Sequence, residues 1–135
     1  MTELVDDYRA EATQAAHLRR HAELARYPQV AAQLRALAEV EDRHAALLRD
    51  HILAMGGGIP PVAPEPLAGR SQWERAVALR QVAQAKRRRL IEHFGQWDPE
   101  EPASAQLLAR IYDEDGETFS IYDDIVARSD PHALD

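Results

Sequence analysis

LRALAEVEDRHAALLRDHI, residues 34–52, sets Glu41 and His44 in line with Leu34, Leu37, Leu48 and Ile52. Alternating steps of three and four place all six on one face of a helix. A face with that many leucines is a core face, so a carboxylate and an imidazole are carried inside. There a carboxylate must find a cation or lose its charge.

The same spacing runs through the preceding segment. Leu4, Tyr8, Glu11, Ala15, Leu18, Ala22 and Ala25 form its seam, and Val30 extends the seam of the second helix toward its start. Pro28 suits a first helical turn, so one helix ends near Arg26 and the next begins near Pro28 or Gln29. An antiparallel hairpin turning at Tyr27 and Pro28 sets Glu11 opposite His44, with Glu41 one turn away. At 1.5 Å rise per residue Glu41 and His44 are only ~4.5 Å apart along the axis, and the three side chains can converge on one point.

Beyond this hairpin the pattern stays helical. GGGIPPVAPEPLAG, residues 56–69, cannot continue a helix and reads as an extended crossover. GQWDPEEP, residues 95–102, closes a third helix, with Asp98 or Ser104 expected to help cap a fourth. The third seam is Trp73, Ala76, Leu79, Ala83, Leu90 and Phe94, interrupted by Lys86 or Arg87. The fourth is Leu108, Ile111, Asp115, Thr118, Tyr122 and Ile125. The expectation is one all-α domain over residues 1–135, an antiparallel four-helix bundle of two hairpins (about 3–55 and 71–128) joined by a long crossover (56–70).

Composition narrows the function. The chain has no cysteine, which excludes disulfides, thiolate metal sites and a cysteine nucleophile. A net charge of −7 argues against a nucleic-acid surface, and the basic run Lys86 to Arg89 reads as a solvated helix face. The acidic opening MTELVDDYRAE lacks the features of a secretion signal, and no window approaches the ~20 apolar residues of a membrane span. A cytoplasmic protein is expected. The GGG of residues 56–58 lacks the context of a phosphate loop and reads as linker.

A Glu on one helix followed by Glu-x-x-His on the next, here Glu11 and Glu41-Asp42-Arg43-His44, resembles the ferritin-like superfamily, particularly its rubrerythrin and encapsulated-ferritin types. The flanking text, DDYRAEATQAAHL (6–18) and residues 34–52, is similar too. The resemblance implies a non-haem site for iron or manganese, chemistry such as iron oxidation, peroxide reduction or dioxygen activation, and a homodimer or higher homo-oligomer. The family repeats the ligand set in its second hairpin, and this chain departs from it. Aligned on the family's fourth helix, LLARIYDEDGETFSIYDDI (107–125) puts Asp115 at the Glu position and Thr118 at the His position. The third helix reads RQVAQ at 80–84 where a Glu is expected, leaving Gln81 or Gln84 as neutral donors.

Three carboxylates and one imidazole suit one divalent ion better than two. One route therefore has Glu11, Glu41, His44 and Asp115 holding a single Fe, Mn or Zn ion. A second has two subunits completing a di-iron site across a two-fold axis, which needs that face left open by the second hairpin. The competing reading is a metal-free bundle serving oligomerisation or partner binding, in which Arg80 or Arg87 points inward and neutralises the acids. Of the remaining groups, His17 and His21 are expected in solvent, His51 at the end of the core and His93 as a helix-end cation. Tyr8, Tyr112 and Tyr122 are expected as core packing.

Overall fold

In the computed structural model, which describes residues 2–63, 65–96 and 102–130, the chain forms four helices: α1 (Thr2–Leu24), α2 (Pro28–Ala54), α3 (Gln72–Gln96) and α4 (Pro102–Arg128). The sequence boundaries hold to within two residues. Tyr27 precedes Pro28 with φ −106° and ψ 131°, the extended backbone that a following proline imposes, and Pro28 opens α2.

The crossover begins at a helix stop. Gly56 takes φ +83°, the Gly57 amide donates to Ile52 O (2.9 Å) and the Gly56 amide to Leu53 O (3.0 Å), the paired bonds of a glycine C-cap. At its far end Ser71 caps α3: its Oγ accepts from the Glu74 amide (3.1 Å), and Glu74 Oε2 accepts from the Arg70 amide (2.8 Å).

Helices neighbour one another in the order α1, α2, α4, α3 around the bundle. Pairs such as His44 with Glu114 and Gln33 with Asp124, or Gln14 with Leu79 and Asp7 with His93, make each neighbouring pair antiparallel. The helices joined by the crossover, α2 and α3, are therefore parallel and diagonal. An extended segment of this length reaches ~55 Å, enough to return along a helix of ~40 Å.

Most predicted seam residues are buried. Tyr8, Ala25, Trp73 and Thr118 are partly buried, and Phe94 is half exposed beyond the end of the α3 seam. The core divides into two apolar clusters. One holds Leu18, Leu34, Leu37, Leu79, Tyr122 and Ile125 among others, and the second holds Leu4, Leu48, Ile52, Leu90, Leu108 and Ile111. Between them the seams supply Glu11, Glu41, His44, Lys86 and Asp115, each no more than 5% exposed. No helix among the described residues is long and apolar enough to cross a membrane.

Candidate metal centre

The four expected ligands meet. Glu11 from α1, Glu41 and His44 from α2, and Asp115 from α4 each offer a donor atom, and these atoms all lie within 4.8 Å of one another. The seams that make the bundle also make the site, because each acid occupies a position that the helical repeat turns inward.

A fifth group enters from α3. Lys86 Nζ donates to Glu11 Oε2 at 2.7 Å and to Glu41 Oε2, with the lysine and both glutamates 2% exposed. This corrects the sequence expectation that Arg80 or Arg87 would turn inward. Arg80 pairs with Asp123 at the surface, and the Arg87 guanidinium lies 4.5 Å from the centre of the Tyr112 ring in the gap left by Gly116, whose absent Cβ would sit 2.9 Å from Arg87 Nη2. Four successive basic residues follow Ala85, and each step turns the helix by 100°. Only position 86 continues the stripe through Leu79, Ala83 and Leu90.

His44 is oriented from behind. Its Nε2 lies 2.6 Å from Glu114 Oε2, and since a carboxylate only accepts, Nε2 carries the proton. Glu114 is held in turn by Arg110 at 3.2 Å. Nδ1 then faces inward, 3.3 Å from Asp115 Oδ1 and 3.9 Å from Glu11 Oε2, without a hydrogen bond. Both Asp115 oxygens also lack a hydrogen-bond donor. An imidazole nitrogen facing carboxylate oxygens in a dry interior calls for positive charge there, either a bound cation or the proton of an imidazolium.

Burial works against a charged His44, but the Asp115 and Glu114 carboxylates outweigh it and raise its pKa. Burial also drives Glu11 well above the ordinary carboxylate range, with Glu41 and Asp115 adding to the rise against the pull of Lys86. For Glu41 the upward push of burial is overcome by Lys86, and its pKa is lowered. Lys86 itself is raised, because Glu11 and Glu41 outweigh its desolvation. Of the two glutamates, Glu11 is therefore the one that holds a proton more tightly.

The donor set fits a divalent transition metal: one imidazole nitrogen with a carboxylate behind it, three carboxylates and no sulfur. Helices α3 and α4 close over this set from within the chain, so the route across a two-fold axis lacks the open face it requires. Gln81 and Gln84 are exposed and donate nothing to it.

The other expectations divide. His51 Nε2 meets Ser104 Oγ at 2.7 Å at the end of the core, so Ser104 serves that contact inside α4 rather than a cap; Asp98 lies outside the described residues. His93 is not a helix cap but pairs with buried Asp7 at 2.8 Å. His17 is half-buried, its Nε2 2.7 Å from Glu65 O. His21 is fully buried rather than solvated: it shares a heptad stripe of α1 with Asp7 and Gln14, which face His93 and Leu79 of α3, and Arg75 of α3 lies near it. Tyr122 is core, as expected, and its hydroxyl accepts from Gln14 at 3.3 Å. Sequence reasoning missed Glu114 and Gln14, since neither continues a leucine seam.

No protein-family model and no curated protein matches the chain. Solved structures do. A dodecameric thioferritin, the bacterioferritin-related protein from Bacteroides fragilis, superposes with a TM-score of 0.71 at 15% identity, over 94% of this chain and 86% of that one. The fold is thus the ferritin-like four-helix bundle.

Proposed function

We propose that this chain is a ferritin-like metal protein that holds one divalent ion, iron or manganese, through Glu11, Glu41, His44 and Asp115. The observation that carries this reading is the convergence of one imidazole nitrogen and three carboxylates, all buried, with donor atoms within 4.8 Å of one another. An ion bound there would supply one-electron redox chemistry toward dioxygen or peroxide, the chemistry that the resemblance implies.

The chain's own groups have separate tasks. Glu114 fixes the tautomer and aim of His44, and Arg110 steadies Glu114. Glu11, whose pKa burial raises, releases a proton when a cation arrives. Leu48 and Leu90 on one side and Leu37 and Leu79 on the other keep bulk water out.

Charge favours one ion. Three carboxylates and the Lys86 ammonium leave two negative charges, which a single divalent ion balances. Lys86 also supports a metal-free reading, since it satisfies Glu11 and Glu41 directly. In that reading a protonated His44 pairs with Asp115 at 3.3 Å; the metal reading is preferred because one imidazole and three carboxylates converge on one buried point with a carboxylate behind the imidazole. A homo-oligomer is proposed as well, on the precedent of the dodecameric neighbour, and light scattering on the purified protein tests it.

The test is elemental analysis of protein purified without chelator. Near one equivalent of iron or manganese is expected, lost in Glu41→Ala and His44→Ala; substoichiometric metal that neither change affects removes the proposal.

A further inference from the structure

We infer that Lys86 is the resident second cation of this site: its ammonium is the second positive centre among the carboxylates and limits the site to one divalent ion. The inference rests on the metal reading above and deepens it, by naming what sets the number of ions.

Three observations carry it. Lys86 is the only lysine of the protein, whose other fifteen basic residues are all arginine. That one lysine lies not at the surface but 2% exposed, donating to Glu11 and Glu41 together. An ammonium is a compact point charge able to sit between two carboxylates, whereas a guanidinium is a wide planar fork. Thirdly, the cleft bounded by Glu41, Lys86, Asp115, Thr118 and Tyr122 is too narrow to admit a water molecule. The ammonium thus fills the α3 side of the cleft, the place from which a further ligand to a second ion would have to come.

The charge count gives the consequence. With the ammonium, three carboxylates accept one divalent ion. If position 86 carried a carboxylate, four acids would accept two. The position is suitably placed, since its side chain already reaches the oxygens of Glu11 and Glu41 from the opposite helix pair.

Equilibrium dialysis of the full chain against Mn²⁺ reads this directly, with circular dichroism to verify the helices of each variant. The native protein is expected to bind one ion and Lys86→Glu two. Lys86→Gln, which removes the charge and no carboxylate, is expected to keep one ion and bind it roughly tenfold or more tightly, because the repelling ammonium is gone. If Lys86→Glu does not fold, the Lys86→Gln affinity decides. One ion in folded Lys86→Glu, or unchanged affinity in Lys86→Gln, overturns the inference and leaves the metal site standing. No ion in the native protein overturns instead the reading on which it rests.

Discussion

Replacing Lys86 by Met keeps the length of the side chain and removes its charge from between Glu11 and Glu41. The two carboxylates, both 2% exposed, then have no cation, and removing one partner of a buried ion pair costs about 3–5 kcal/mol. A chain of this length is stable by only about 7–20 kcal/mol. The midpoint of thermal unfolding in the presence of chelator should therefore fall by on the order of 10–20 °C. The sign is fixed across the neutral range: the folded pKa of Lys86 lies above the ordinary lysine value, so its contribution is fully present below that value and is lost only at higher pH. Two further readings belong to the same experiment. The deficit shrinks as pH falls, because Glu11, whose pKa burial raises, is the first of the two glutamates to take up a proton. Mn²⁺ stabilises the Met variant by more than it stabilises the native protein, since it restores the missing charge. Urea and thermal denaturation with chelator and with Mn²⁺ measure all three. Native-like stability of Lys86→Met in chelator refutes the charge argument.

Other perturbations give equally definite outcomes. Glu114→Gln should weaken metal binding by about 10–100-fold, since it loosens the group that orients His44, and competition against a chelating dye measures it. Glu11→Leu should abolish metal-induced stabilisation while changing stability in chelator by no more than about 1 kcal/mol, because a desolvated carboxyl is removed along with its pairing to Lys86; calorimetry with and without Mn²⁺ checks this. His21 is buried, and its pKa is pushed down to about 4 by burial and by Arg75. The unfolded chain therefore binds the extra proton first, so stability is full above about pH 6.5 and declines as pH falls toward 4, by about 3 kcal/mol from this group. His21→Leu should remove that share of the decline, as urea denaturation at pH 7 and 4.5 would show.

How legible all this was in the sequence depends on the kind of constraint. The helix limits followed from Pro28, from the glycines and prolines of 56–69, and from four leucine-bearing seams, because backbone chemistry and burial act locally. Glu11, Glu41, His44 and Asp115 were legible for the same reason: each replaces an apolar residue at a position whose direction the repeat fixes. Lys86 was half legible. Its place in the third seam was apparent as an interruption, but choosing among four consecutive basic residues depended on packing against α4, where Gly116 gives Arg87 a surface berth over Tyr112. Glu114 escaped notice because it approaches His44 from the flank of α4. His21 was misjudged because the α3-facing stripe it shares with Asp7 and Gln14 carries polar side chains, so no leucine marks it as buried.

The most direct test of the central claim is anomalous diffraction from crystals grown with Mn²⁺. The account predicts a single peak within bonding distance of Glu11, Glu41, His44 Nδ1 and Asp115, with Lys86 still paired to the glutamates. A bundle with the same side-chain arrangement, no peak at saturating Mn²⁺ and a hydrogen-bonded proton between His44 and Asp115 would contradict it.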